Sequence, residues 1–253
     1  MKCGAKVLKC ENTSAETSVI LSYNIMTDLT IATYNCKYFD PDTSCDKLLY
    51  MNDIFSKCDF LCIQEHWLYE SQFHRFDSLS SDDLAYCAVS AMDPDIQRSG
   101  RPHGGTAIIW RRSILQKIEI IETCSARLCA IKIFINDEHF ILLFNVYMPT
   151  DQRCDGFNLR VTQDVLSEIS VICQAEDAMY IIVTGDLNTD FSRDTIQTRE
   201  IKQFCDYESL SPCIYSECAN IKYTFENCVG NRSIIDHCLI SKSEYDKLSY
   251  KVL

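Results

Sequence analysis

A layered α/β sandwich, two mixed β-sheets with helices outside them, is the fold class this sequence predicts. Three patterns predict it. β-rich runs recur from Leu29 onward, several are almost wholly apolar, and they are joined by both hairpin-length and helix-length segments. The runs are LTIATYN, DFLCIQE, GGTAIIWRR, LCAIKIFI, HFILLFNVYM, MYIIVTGDL, IKYTF and SIIDHCLIS. Only Asn136, Asp137 and Glu138 separate the fourth run from the fifth, a spacing that predicts an antiparallel hairpin. Residues 43–57 read as a helix with Leu48, Leu49, Met51, Ile54 and Phe55 as its apolar stripe. Residues 157–174 read as a second, with Val161, Val165, Ile169 and Ile172 on one face and Arg160, Asp164 and Glu168 off it. Hairpins mixed with strand–helix–strand units exclude a single doubly wound parallel sheet.

Residues 1–28 show weak periodicity and no turn chemistry, and are read as a lead-in. Residues 29–253 are read as one domain, because no fixed-period repeat and no Pro/Gly/Ser-rich linker divides them.

The chain has 253 residues, 47% hydrophobic and 24% charged, enough for a packed core and too apolar for general disorder. No apolar run is long enough to span a bilayer, and MKCGAKVLKCENTSAET lacks the apolar centre of a secretory signal. The expectation is an intracellular protein, nuclear or cytoplasmic, with no membrane partner. The 16 cysteines are expected to be reduced, since no export signal calls for disulfides and no pair has the two-residue spacer of a zinc knuckle. Cys62, Cys87, Cys129 and Cys173 sit in apolar runs, where a thiol acts as a small hydrophobe. A net charge of -12 opposes phosphate binding overall, so any nucleic-acid contact must be local. Arg98, Arg101, His103, Arg111, Arg112 and Lys117 form the candidate patch, with Arg98, Arg101, Arg111 and Arg112 at its centre.

The chemistry is at the strand ends. LTIATYN delivers Asn35, DFLCIQE delivers Glu65, ILLFNVY delivers Asn145 and Tyr147, and YIIVTGDLN delivers Asp186 and Asn188. Singly, each has an ordinary explanation as a turn cap or a solvated rim charge. Together they suit a hard divalent cation, which takes one or two protein carboxylates and fills its shell with water and phosphate. Asp186 and Asn188 are two residues apart, so an extended segment turns both to one side. There a carboxylate can take a proton from water while the amide holds it.

TIATYN, LCIQEHW, HGGTAIIW, NVYMPT, IVTGDLNTD, YTF and SIIDHCLIS follow in an order and spacing that resembles the endonuclease/exonuclease/phosphatase superfamily. SGRPHGGTAIIWRR looks like the version in non-LTR (LINE-type) retrotransposon endonucleases. The resemblance covers residues 29–253 and implies the DNase I-like fold, a four-layer α/β sandwich. It implies a Mg²⁺-dependent (or Mn²⁺-dependent) phosphodiesterase that nicks DNA, with a reverse transcriptase domain on the parent polypeptide. Glu65 would be the principal metal ligand with Asn35 beside it. Asp186 would activate water with help from Asn188, Tyr147 and Asn145 would contact the scissile phosphate, and Thr224 would lie at the DNA-contacting edge. Asp236 matches the aspartate that orients a catalytic histidine. Lys37 departs from the pattern, since many members carry a carboxamide or carboxylate there.

The superfamily ends in a Ser-Asp-His motif on a later strand. After Asp236 the sequence continues through SKSEYDKLSYKVL without another histidine beyond His237, so a C-terminally truncated, impaired domain with an open sheet edge is expected. His237 cannot substitute, because it neighbours Asp236 and must face the other way on a strand. Two alternatives stand beside the nicking enzyme. One is a non-catalytic remnant or domesticated fragment that binds nucleic acid or a partner. The other is a superfamily phosphatase or RNA-acting nuclease.

Overall fold

A computed structural model describes residues 19–25, 27–42, 45–91, 103–150, 156–178, 180–215, 222–243 and 248–252. Two six-stranded mixed sheets pack face to face, with helices on both outer faces. The first sheet comprises β1 (Val19–Ile25), β2 (Thr27–Asn35), β3 (Phe60–Gln64), β4 (Leu84–Val89), β5 (Thr106–Arg111) and β14 (Leu248–Val252), in the order β14-β1-β2-β3-β5-β4. The second comprises β6 (Ile118–Ile121), β7 (Leu128–Phe134), β8 (Phe140–Tyr147), β9 (Tyr180–Asp186), β10 (Leu210–Pro212) and β13 (Asp236–Ser241), in the order β10-β13-β9-β8-β7-β6. A small hairpin, β11 (Phe225–Glu226) with β12 (Arg232–Ser233), stands apart from both.

The expected hairpin is present: β7 pairs antiparallel with β8 from Leu128↔Val146 to Phe134↔Phe140. Helix α1 (Cys45–Phe55) joins parallel strands β2 and β3, and α2 (Gly156–Glu176) joins parallel strands β8 and β9. The apolar stripe of α2 is buried at Val165, Ile169 and Ile172 as its periodicity predicts, while Val161 is only half-buried. Val165, Leu166, Ile169 and Ile172 pack with Ile201 and Phe204 of α3 (Ile196–Tyr207) on Leu142, Phe144, Ile181 and Val183. At about 1.5–3 kcal/mol per buried side chain, this outweighs the poor helix propensity of valine and isoleucine, under about 1 kcal/mol each. On the opposite outer face, Met51, Ile54 and Phe55 of α1 join Phe73, Phe76 and Leu79 of a 3-10 segment (Glu70–Leu79) against Ala32, Leu61, Ile63 and Ile109. Leu49, expected in that stripe, is exposed.

Two expectations are corrected. Residues 19–25 are no lead-in, since β1 pairs with β2 along its whole length. Nor is the first sheet open beside β1, because β14 pairs there antiparallel, Val19↔Val252 to Tyr23↔Leu248. Nine of the 11 described cysteines are buried, as the apolar context predicts. No helix among the described residues is long and apolar enough to cross a membrane.

Candidate active site

Alternation along the strands decides which side chains meet. Ile31, Cys62, Ile108, Leu143, Ile182 and Ile240 fill the space between the sheets. Moving along the strands in steps of two, Thr33, Gln64, Thr106, Asn145 and Thr184 form a buried polar tier above that core. One step further stand Asn35, Tyr147 and Asp186. These three line a cavity of about 500 Å³, together with Glu65, Asn188, Thr224 and Asp236. The predicted convergence of Glu65, Asn35, Asp186 and Asn188 is therefore present.

Glu65 reaches the cavity by a backbone device. Its neighbour Gln64 already faces the inter-sheet tier, so a regular strand would turn Glu65 outward. Instead Glu65 has φ 55, the left-handed region, as do Lys37 (φ 39), Tyr38 (φ 81), Trp67 (φ 58) and Asn188 (φ 49). Non-glycine residues in that region are uncommon, and their clustering around one cavity marks stored strain at a working site. Gly185 serves the same end. At φ 134 it lets β9 close on β8, where a Cβ would lie 2.1 Å from the Val146 carbonyl oxygen.

Asn35 joins the two sheets. Its Nδ2 donates to Glu65 Oε1 and to Asp186 Oδ2, both at 2.8 Å. Two carboxylate acceptors fix the amide orientation, and Asn35 Oδ1 accepts from the Lys37 amide at 3.2 Å. Asn35 thus aims Glu65 and Asp186, and its oxygen is already engaged. Trp67 Nε1 donates to the other Glu65 oxygen at 3.3 Å. Asp186 Oδ1 accepts from the Asn188 amide at 2.8 Å, and Asn188 Nδ2 donates to the Met148 carbonyl at 2.8 Å. The segment turns sharply at Asn188 and is not extended, yet both side chains line the cavity.

Burial pushes the Asp186 carboxyl up to about 7; the hydrogen bonds from Asn35 and Asn188 oppose this, and the charge of Glu65 adds to it. Asp236 lies opposite Asp186 in the β13–β9 register and is pushed well above the usual carboxylate range, by burial first and then by Asp186. Burial and the charges of Glu65 and Asp186 also push the Tyr147 phenol up, so its O–H stays a donor.

Several expected roles are corrected. Asn145 lies outside the cavity lining: it is fully buried, with Nδ2 donating to the carbonyls of Ile63 and Ala107 at 2.9 Å and Oδ1 accepting from Gln64. It cannot touch a phosphate. Thr224 lines the cavity, but its hydroxyl accepts from the amides of Ile235 (3.0 Å) and Asp236 (3.1 Å), so it fixes Asp236. Arg111 is structural. It donates to Asp82 at 2.8 Å, to the Cys58 carbonyl at 3.1 Å and to the Phe55 carbonyl at 2.9 Å, with its guanidinium over the Phe55 ring. Arg112 pairs with Asp83. Both sit at the opposite end of β5 from Thr106, which pairs with Gln64, so about 17 Å of strand separates them from the cavity. Arg98 and Arg101 lie outside the described residues. Arg111→Ala is expected to lower stability by about 1–3 kcal/mol and leave oligonucleotide affinity unchanged. Urea denaturation with a parallel DNA titration checks both halves.

His237 faces away from Asp236, as strand alternation requires, and its Nε2–H donates to the carbonyls of Thr189 and Ile234. His66 is equally internal, held by the Val89 carbonyl and the Leu68 amide. Burial lowers both histidines to about 4, so both are neutral at physiological pH. Among the described residues no histidine lines the cavity.

The sequence reading missed Thr150, Asp190 and Arg193, which also line it. Thr150 lies three residues past Tyr147, and Asp190 continues the spacing Asp186, Asn188, Asp190, so both had a signal in the motifs. Arg127 had none. Its Nη1 donates to the Tyr147 carbonyl at 3.1 Å and its guanidinium lies 5.1 Å from the centre of that ring, supporting Tyr147 from behind.

The profile of the Endonuclease/Exonuclease/phosphatase family matches residues 32–250. Among solved structures the fold is shared with a 3′ phosphatase (NExo) from Neisseria bound to product DNA hairpin, at 14% identity and TM-score 0.61, covering 85% of this chain and 88% of that one. It is shared with an AP endonuclease from Leishmania major, at 12% identity and TM-score 0.64, covering 84% and 78%. It is also shared with the endonuclease domain of TRAS1, a telomere-specific non-LTR retrotransposon, at 12% identity and TM-score 0.58, covering 85% and 86%. No curated protein sequence matches the chain.

Proposed function

The chain belongs to the endonuclease/exonuclease/phosphatase family, and from that premise we propose that its cavity is the site of a Mg²⁺- or Mn²⁺-dependent phosphodiesterase that nicks DNA. The observation that carries the reading is the placement of Glu65 and Asp186, from different sheets, on one amide of Asn35. Three acidic side chains, Glu65, Asp186 and Asp236, share a cavity whose burial raises two of them, and such a site fits a hard cation. Among the described residues no three His, Cys, Asp or Glu side chains are grouped to hold a metal by themselves. Glu65 would therefore hold the ion, with water and a phosphate oxygen completing its shell, and the ion would offset charge developing on the phosphoryl oxygens.

Asp186, with its carboxyl at about 7, is suited to take a proton from water near neutral pH. The Asn188 side-chain oxygen accepts from no described residue, which leaves it free to orient that water. Tyr147 offers an un-ionised O–H to a phosphate oxygen. Asp236, held by Thr224, supports the site from β13. DNA as substrate rests on relatives of the same fold, one bound to a DNA hairpin and one from a retrotransposon. A reverse transcriptase domain on the parent polypeptide and a nuclear or cytoplasmic location complete the proposal.

The lack of a histidine in the cavity favours impaired turnover, and it is the observation behind a second reading, a fold that binds nucleic acid without cutting it. Removing one positioned phosphate-contacting donor costs about 10²- to 10³-fold in rate. The test is nicking of supercoiled plasmid by this chain, by Glu65→Gln, and by a chain extended through a Ser-Asp-His motif, each with Mg²⁺, Mn²⁺ or EDTA. Slow metal-dependent nicking, abolished by Glu65→Gln and raised at least 10²-fold by the extension, is expected. Nicking that persists in EDTA rules out the metal-dependent reading, and binding without nicking by every form leaves the second. A phosphomonoester substrate in the same series separates a phosphatase.

A further inference from the structure

Lys37 lies in the cavity at a position where it departs from the family motif. It lines the same space as Glu65, Asp186 and Asp236. Its ammonium makes no hydrogen bond and no ion pair with any described residue, and lies 5.2 Å from the centre of the Phe225 ring. Phe225, in the β11–β12 hairpin, also lines the cavity. The positive charge of Lys37 partly relieves both Asp186 and Asp236.

Its position is built. Lys37 (φ 39) and Tyr38 (φ 81) both adopt left-handed backbone. A second lysine, Lys47, fastens that loop, donating from Nζ to the carbonyls of Cys36 at 2.6 Å, Lys37 at 3.1 Å and Tyr38 at 3.4 Å. The loop is further tied to β3 and its end, by Cys36 N to the Gln64 carbonyl at 2.9 Å and Tyr38 N to the Glu65 carbonyl at 2.7 Å. Lys47 is spent on structure. Lys37 is left with a free ammonium among carboxylates, in a chain whose net charge is -12.

We propose that Lys37 is a phosphate-binding residue, whose ammonium takes a non-bridging oxygen of the phosphodiester entering this cavity. The proposal rests on the reading of the cavity as a phosphodiester site and adds a consequence. Part of the phosphate affinity is supplied by the protein and survives removal of the metal. A lysine here also lowers the demand for a second cation, because it already offsets one carboxylate.

The experiment measures binding of a short fluorescent DNA duplex across a salt series, in EDTA and in Ca²⁺. The proteins are wild type, Lys37→Gln, Lys37→Arg and Glu65→Gln, each checked for an unchanged melting transition. Wild type is expected to bind in EDTA. Lys37→Gln should weaken that binding about 5- to 10-fold and reduce the slope of log affinity against log salt by about 0.9, one released counterion. Lys37→Arg should restore most of both. Glu65→Gln should abolish the gain in affinity that Ca²⁺ gives to wild type. An unchanged affinity and slope for Lys37→Gln, with Glu65→Gln still abolishing the metal effect, overturns the role of Lys37 and leaves the proposed function standing. No binding by wild type, with or without metal at low salt, overturns both.

Discussion

Asp186→Asn is expected to make the protein more stable near pH 8 and no more stable near pH 4. Asp186 is 3% exposed, and burial together with the charge of Glu65 raises its carboxyl to about 7 from an ordinary value near 3.8. A carboxyl whose folded value lies above its unfolded value binds more protons in the folded state between the two. Stability therefore falls as pH rises across the window from about 4 to about 7, and stays lowered above it. A shift of that size corresponds to about 4 kcal/mol at most. Asparagine removes the charge and still accepts from the Asn188 amide, but turns an NH₂ toward Asn35 Nδ2, which costs about 1–2 kcal/mol. The net gain is about 2 kcal/mol at pH 8, or roughly 4–8 °C in melting temperature for a domain of this size. Calorimetry from pH 4 to pH 8 reads both proteins. A variant that melts lower than wild type at every pH would mean that Asp186 is charged and comfortable, and that the cavity is not the strained acidic site described.

The same residue shows what sequence could and could not disclose. The GDLN run after an apolar strand marked Asp186 and Asn188, because a polar pair closing a buried strand is conspicuous against its neighbours. Their mutual placement was not legible, since it depends on the left-handed turn at Asn188 (φ 49) and not on strand alternation. Glu65 was marked for the right reason at the wrong geometry. Alternation alone turns it away from Gln64's side, and only φ 55 brings it back. Arg111 failed differently, because a cluster along the chain says nothing about which end of an antiparallel strand it occupies. The two layers of helix and the inter-sheet core were legible from periodicity and apolar runs. β1 was not, because its pairing with β14 joins residues at opposite ends of the chain.

Asn145→Leu is expected to be the most damaging single change outside the cavity, at about 3–5 kcal/mol, although no substrate touches the residue. Its side chain links β8 in one sheet to β3 and β5 in the other, through the carbonyls of Ile63 and Ala107 and the amide of Gln64. Gln64 in turn donates to Thr33 Oγ1 at 2.8 Å, so the tie extends to β2. Leucine takes a donor from each of two buried carbonyls and an acceptor from the Gln64 amide, which keeps Thr33, and each loss costs about 1–3 kcal/mol with some recovered by relaxation. The functional loss should exceed the stability loss in kind. Asn35 and Glu65 ride on the sheet that Asn145 grips, while Tyr147 and Asp186 ride on its own, so loosening the grip separates the groups that share the cavity. Metal titration on the folded fraction should then show weakened binding, even where denaturation shows that most molecules remain folded. A double-mutant cycle with Gln64→Leu distinguishes this tie from ordinary packing. If the amides act as one unit, the double variant is destabilised by at least about 1 kcal/mol less than the two single losses combined, because the Gln64–Asn145 bond broken in both single variants is then lost only once. Strict additivity, with metal affinity unchanged in Asn145→Leu, would show that the polar tier merely fills space between the sheets.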